Sequence, residues 1–384
     1  MRYYVIAGEA SGDLHGSNLV RELRALDPAA EIRGWGGDLM MAAGVTIVKH
    51  YRDLAFMGFV EVAANIRTIL KNMRFCKEDI LGYAPDVVIF IDYPGFNIPI
   101  AEFAKSKGFR TVYYISPQVW AWKESRVKKL KKSIDRMLVI LPFEKEFYRK
   151  WDYEVEYVGH PLVETIERSK KHIAEKRAAS MRQEMEERTS KPLVALLPGS
   201  RQQEVKKKLP VMLEVTRHYP ECRFVVAQAS ALPDTFIRTF TDSFPNVEIM
   251  KGDTYGLLSM ADAALVTSGT ATLETALFGV PEVVCYKGSP VSYLIAKRLV
   301  KVRYISLVNL IMGREVVKEL IQDEMNPGNL QRELAKLLQD DDTKARMAKD
   351  YRELRELLGK GGDASAKAAA SVMRLMGKEG KAAG

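Results

Sequence analysis

The chain has 384 residues, 47% of them apolar and 28% charged, which allows two domains of ordinary size and excludes a disordered chain. Its 58 Lys and Arg against 49 Asp and Glu leave a formal charge of +9, a balance that favours anionic partners such as nucleotides, lipid phosphates, nucleic acid or an anionic membrane surface. Cys76, Cys222 and Cys285 form no CxxC pair and the five histidines no HExxH or Cys/His cluster, so the patterns of a disulfide scaffold and of a protein-held catalytic zinc are both missing.

Met1–Ala7 reads as a strand, too soon interrupted by Gly8 and Glu9 to be a signal peptide. No run of about 18 uncharged apolar residues follows. The expectation is a cytoplasmic protein whose membrane contact, if any, is peripheral. Gly8-Glu9-Ala10-Ser11-Gly12-Asp13-Leu14-His15-Gly16 then opens a helix that runs to about Leu26. Its glycines let backbone N–H groups approach a ligand, and it groups Glu9, Asp13 and His15 in one loop. A tight turn capped by Ser11 or Asp13 would give the same string. Neither GxGxxG nor the Lys of a P-loop is present, and there is no GxSxG elbow.

An amphipathic helix is predicted over Glu61–Leu81, then strands at Asp86–Ile91, Thr111–Ile115 and Met137–Leu141. Glu164–Lys191 is charge-dense and reads as an exposed helix or linker. The strand–helix rhythm restarts at Leu193–Leu197, Arg223–Ala227, Val247–Met250, Ala263–Val266 and Glu282–Tyr286, and only helical patterns follow Asn329, ending in an Ala-rich helix, Asp363–Met376. This alternation predicts an α/β class with parallel sheets. The predicted domains are 1–165, a linker helix 166–191, a second domain 192–340, and C-terminal helices with a flexible tail over 341–384.

Two turns of the second half follow strands and open helices. Pro198-Gly199-Ser200-Arg201 offers backbone and hydroxyl donors plus a bidentate guanidinium to a phosphate. Ser268-Gly269-Thr270-Ala271-Thr272-Leu273-Glu274 offers a second cradle, and Glu274 is placed to accept both hydroxyls of a ribose. An ordinary first-turn Glu would complement the helix dipole equally well.

Several strings together resemble one family. Gly8-Glu9-Ala10-Ser11-Gly12-Asp13, Met57-Gly58-Phe59-Val60-Glu61-Val62, Ser116-Pro117-Gln118-Val119-Trp120-Ala121-Trp122 and Leu141-Pro142-Phe143-Glu144 look like the lipid-A-disaccharide synthases. So do Leu197-Pro198-Gly199-Ser200-Arg201, Thr267–Glu274 and Asn309-Leu310-Ile311-Met312-Gly313-Arg314-Glu315, in the same order along the chain.

The resemblance implies a GT-B fold, two Rossmann-like domains facing across a cleft. It implies an inverting transfer of 2,3-diacylglucosamine from its UDP derivative to 2,3-diacylglucosamine 1-phosphate, giving a β-1,6 disaccharide phosphate and UDP. UDP falls to the second domain, on Ser200, Arg201, Ser268, Gly269, Thr270, Glu274 and Asn309. The acceptor falls to the first. No cofactor or metal is expected, the UDP-sugar being a substrate. No nucleic acid is expected, and a homodimer is possible. Where the family often has Ile-Asp-x-Pro-Asp-Phe-Asn, this chain has Ile91-Asp92-Tyr93-Pro94-Gly95-Phe96-Asn97, so Gly95 stands in place of a favoured base. Asp92, Glu9, Asp13, His15 and Glu61 remain as candidates. Phe56, Met57, Phe59 and Val60 form an apolar loop, and Lys123–Lys132 a basic face, for an anionic bilayer and acyl chains at the inner face of the membrane. Two other readings stand beside this one: a UDP-sugar epimerase on the same fold, and a non-catalytic basic protein that binds membrane or RNA.

Overall fold

The computed structural model describes residues 1–54, 66–122, 124–184, 191–289, 293, 302–360 and 362–377. The chain divides into two units, 1–161 with 358–384, and 162–357. In the first, β1 (Arg2–Ala7), α1 (Ala10–Leu26), β2 (Glu31–Gly36), α2 (Asp38–Ala42), β3 (Thr46–His50), α3 (Ile66–Tyr83), β4 (Val87–Ile91), α4 (Pro94–Ser106), β5 (Arg110–Tyr114), α5 (Val119–Trp122), α6 (Val127–Ser133), β6 (Arg136–Val139), α7 (Glu144–Arg149) and β7 (Glu156–Tyr157) follow one another. Their strands form a parallel sheet of order β3-β2-β1-β4-β5-β6-β7. Every residue of β4 is buried, Val87 to Ile91, as expected of a strand covered on both faces.

The second unit begins with α8 (Pro161–Glu184) and continues through β8 (Leu193–Leu197), α9 (Gln202–Thr216), β9 (Arg223–Gln228), α10 (Asp234–Thr241), β10 (Val247–Lys251), α11 (Thr254–Leu258), β11 (Ala263–Thr267), α12 (Thr270–Phe278), β12 (Glu282–Tyr286), α13 (Leu307–Met312), β13 (Lys318–Ile321), α14 (Pro327–Gln339) and α15 (Asp341–Gly359). Its parallel sheet runs β10-β9-β8-β11-β12-β13. In each sheet the strand order reverses at one place, between β1 and β4 and between β8 and β11. Open α/β sheets bind ligands outside the carboxyl ends of the strands at such a switch point.

Strands β2, β3, β7 and β13 lie outside the sequence reading. In β2 the string Glu-Ile-Arg-Gly-Trp-Gly has weak strand character, and pairing decides it: a Cβ on Gly34 would stand 1.9 Å from the Val5 carbonyl oxygen. The structure also redraws the domain limits. Leu162 and Ile166 are buried and belong to the second unit, so the segment from 166 on is not a free linker. Most of α15 stays with that unit, where Arg355 donates to the Leu277 carbonyl at 2.5 Å. The last helix, α16 (Ala364–Leu375), returns to the first unit. Ala364, Ala368 and Ala369 are fully buried, small enough for close helix approach. Ser371 and Arg374 donate to Glu156 at 2.5 and 2.6 Å.

Glu282, at the start of β12, is buried with neither carboxyl oxygen hydrogen-bonded among the described residues. Burial holds its pKa well above the usual carboxylate range. The folded form therefore keeps a proton that the unfolded chain releases near pH 4.5. Its contribution is fully present below that pH and is lost as pH rises, at up to about 1.4 kcal/mol per unit. Glu282→Gln is expected to flatten the fall of Tm between pH 5 and 8; an unchanged Tm–pH slope contradicts a proton held at Glu282.

Candidate active site

In the first unit the loops after β1 and β4 flank the switch point. They pack so tightly that a Cβ on Gly8 would stand 2.2 Å from the Tyr93 ring. Asp92 and Tyr93 both sit in the left-handed region, φ 43° and 52°, a strained conformation for residues with side chains. The Asp92 backbone is fixed from three sides: its N–H donates to the Tyr114 carbonyl at 3.2 Å, while the Tyr113 hydroxyl and the Asn97 amide donate to its carbonyl oxygen at 2.6 and 2.7 Å. The carboxyl takes no part in these three bonds. Burial, and then the nearby charge of Glu9, push its pKa to about 6, against one backbone hydrogen bond that lowers it. Such a group is an effective base near neutral pH. The structure thus brings together Asp92 and Glu9, the residue that caps α1.

Asp13 and His15 are corrected as candidate bases. Asp13 is 2% exposed and spends its carboxylate on the start of α2, accepting from the N–H groups of Gly37, Leu39 and Met40 at 2.8, 3.1 and 3.0 Å. It is a structural cap. His15 is buried beside His160; burial pushes its pKa to about 4, and that of His160 to about 3 with His15 as a further cause. Two neutral imidazoles are weak bases at pH 7. Phe56, Met57, Phe59, Val60 and Glu61 lie outside the described residues.

Glu144 carries no role in the sequence reading, yet it ties two of the motif strings together. Its side chain is 1% exposed and accepts from Trp120 Nε1 at 3.3 Å and from the N–H groups of Ile140 and Leu141 at 3.2 and 2.9 Å. Trp120 meets Phe143 edge-on at 5.0 Å, and Ser116 shares a 2.6 Å hydrogen bond with Tyr148. Burial outweighs these donors and pushes the Glu144 pKa to about 7. The available signal was a Glu set between Pro-Phe and an aromatic helix just after an apolar strand.

In the second unit both small-residue turns follow the strands that flank the switch point, β8 and β11. Gly199 and Gly269 have φ 121° and 125°, open only to glycine, and each turns its chain into a helix, α9 or α12. Ser200, Arg201 and Thr270 are exposed. Arg201 caps α9 from an extended conformation and its only ion pair is with Glu204, at 3.6 Å, among the described residues. Exposed donors on two adjacent helix starts can surround a diphosphate. Ser268 instead donates to the Ile305 carbonyl at 3.0 Å, which ties the turn to the segment leading into α13.

Asn309, expected at the nucleotide, turns its side chain into the second unit. It is fully buried. Its amide donates to the Val317 carbonyl and to Glu319 at 2.8 and 2.9 Å and accepts from Val316 and Val317 at 2.7 and 3.0 Å. Glu319 also accepts from the N–H groups of Ile305 and Ser306. Asn309 thereby holds the segment that Ser268 leans on. Glu274 lies one turn into α12 and accepts from the Tyr255 hydroxyl at 2.8 Å; burial raises its pKa, with the Tyr255 bond opposing.

A family model described as Lipid-A-disaccharide synthetase matches residues 3–373. The Lipid-A-disaccharide synthase of Syntrophus aciditrophicus (strain SB) is 40% identical over 380 residues, 97% of each chain. Among solved structures, a UDP-GlcNAc 2-epimerase from Neisseria meningitidis bound to UDP-GlcNAc is similar with a TM-score of 0.68 at 12% identity, covering 98% of this chain and 99% of the other. The calicheamicin glycosyltransferase CalG4 gives 0.61 at 17% identity over 98% of each chain. At these identities the two structures share the fold alone, the two-unit α/β architecture of GT-B glycosyltransferases.

Proposed function

The chain belongs to the lipid-A-disaccharide synthase family of glycosyltransferases, and from that premise we infer how its two units divide one reaction between a UDP-sugar and a sugar phosphate. The donor is UDP-2,3-diacylglucosamine, held by the second unit. The acceptor is 2,3-diacylglucosamine 1-phosphate, served by the first. Asp92 takes the proton from the acceptor 6-hydroxyl as that oxygen displaces UDP from C1 in a single inverting step, forming the β-1,6 bond. The charge that builds on the leaving diphosphate is met by Arg201 and by the N–H groups of the turns at Ser200 and Gly269–Thr270. The observation that carries this reading is the pair of open turns on the adjacent strands β8 and β11. No bound metal is needed. UDP release that requires the lipid acceptor and persists in excess EDTA tests the proposal. Conversion of the UDP-sugar to its epimer, with no acceptor and no UDP released, would favour an epimerase, and loss in EDTA rescued by Mg²⁺ would overturn the metal-free step.

Glu274 fixes the ribose in this scheme, with Tyr255 orienting its carboxylate. Glu274→Gln is expected to raise the donor KM about tenfold with kcat largely kept, because the diol loses a charged acceptor. An unchanged donor KM and unchanged inhibition by UDP would remove the ribose role.

We also propose peripheral contact with an anionic bilayer. Among the described residues no helix is long and apolar enough to cross a membrane. Ile66 and Leu70, one turn apart on α3, are 47% and 57% exposed, and Lys128, Lys129, Lys131 and Lys132 on α6 are exposed over a buried Val127 and Leu130. Burying an aliphatic side chain gains on the order of 1.5–3 kcal/mol. Ile66→Ser with Leu70→Ser is expected to weaken binding to anionic vesicles about tenfold or more while leaving UDP binding intact. Salt should weaken the wild type by screening the lysines. Undiminished vesicle binding by the double variant takes α3 out of the contact.

A further inference from the structure

Lys208 lies on the second turn of α9, the helix opened by the Pro198–Arg201 turn. It is 4% exposed. Its Nζ donates to the hydroxyl of Thr267, the last residue of β11 and the one immediately before the Ser268–Thr270 turn. A single side chain therefore joins the helix behind one turn to the strand end beneath the other. No ion pair to Lys208 exists among the described residues. The titratable groups that act on it are few: Glu204 and Cys285 favour its charge, Lys207 and Arg201 oppose it, and burial, the largest influence, lowers its pKa. Cys285 is itself buried and its thiol pushed up to about 12, so it supplies no counter-charge at neutral pH.

A buried ammonium that no carboxylate meets in an ion pair is costly to keep, and an apolar residue of similar length would serve packing better. We propose that Lys208 is a positioning residue for the donor diphosphate, holding the end of β11 through Thr267 and supplying a positive charge whose counter-charge arrives with the nucleotide. This rests on the assignment of UDP to the second unit. It goes beyond that assignment because Lys208 reaches the ligand through the turn and through its field. The sequence shows it only as the third of three consecutive lysines, indistinguishable from a solvated run.

The test compares affinities for uridine and UDP, because only UDP carries the diphosphate. Lys208→Met is expected to leave uridine affinity unchanged, to weaken UDP about tenfold or more, and to keep or raise the Tm of the unliganded protein. A merely structural Lys208 gives the opposite pattern, a lower Tm and an unchanged ratio of UDP to uridine affinity, and that result overturns the proposal. A measurement on the wild type does not depend on the variant folding. The wild-type ratio of UDP to uridine affinity is expected to fall as pH rises through the alkaline range, because burial lowers the pKa of Lys208 below the ordinary lysine value and the uracil ring is common to both ligands; a ratio that does not change with pH counts against it. The two readings fail differently. A wild type that binds uridine as tightly as UDP overturns the diphosphate site itself. A wild-type preference for UDP that survives in Lys208→Met overturns only the role of Lys208.

Discussion

Asp92→Asn is expected to lower kcat/KM by about 10²–10⁴-fold, the range that general base catalysis supplies. The amide keeps the shape of the side chain, and the backbone bonds from Tyr113 and Asn97 that hold the strained loop do not involve the carboxyl, so Tm should change little. The pH profile separates proton transfer from structure. The wild-type rate should fall as pH drops through about 6, because Asp92 takes up a proton there and ceases to be a base. The residual rate of the Asn variant should lack that limb. A variant with wild-type rate and the same acidic limb excludes Asp92 as the base. Gly95→Asp is the informative companion. Gly95 is exposed at the start of α4 and a Cβ there meets nothing within 4 Å. An acidic residue in a first helical turn is favourable and glycine is not, so this variant should fold with an unchanged or higher Tm and restore the carboxylate that the family resemblance leads one to expect.

Arg201→Ala is expected to reduce kcat by about 10²-fold or more, the effect of removing one preorganised donor from a developing anion. The side chain is 56% exposed and its contact with Glu204 spans 3.6 Å, a surface pair whose loss costs at most about 1 kcal/mol. Stability should therefore stay close to wild type while turnover collapses. Arg201→Lys should recover only part of the rate, since an ammonium does not offer the bidentate fork. Near-normal turnover of the alanine variant would falsify the assignment of Arg201 to the leaving group.

The family strings, the alternation of strands and helices, and the two small-residue turns of the second half were legible in the sequence, because each depends on local chemistry. Gly199 and Gly269 are glycines because their φ values admit little else, and apolar runs such as Val87–Ile91 are continuous because parallel strands are buried on both faces. Partnership was not legible. Asp13 and Asp92 are both acidic residues close behind strand ends, and no spacing distinguishes the one consumed by three N–H groups at the start of α2 from the one whose carboxyl takes a single backbone hydrogen bond. Asn309 sits in a family string and invites a ligand role, but every polar atom of its side chain is satisfied inside the second unit. Glu144 and Lys208 look like surface charges in a linear reading and are buried in the fold. Pairing also settled β2, and small alanines took α16 back to the first unit. The sequence by itself determined the fold class, the family and the two small-residue turns proposed to face an anion, because those follow from backbone conformation and hydrophobic period. Which ionisable groups remain open for chemistry was decided only by the tertiary structure, because burial and hydrogen-bond partners come from residues distant in the chain, and these set both the pKa and the availability of each group.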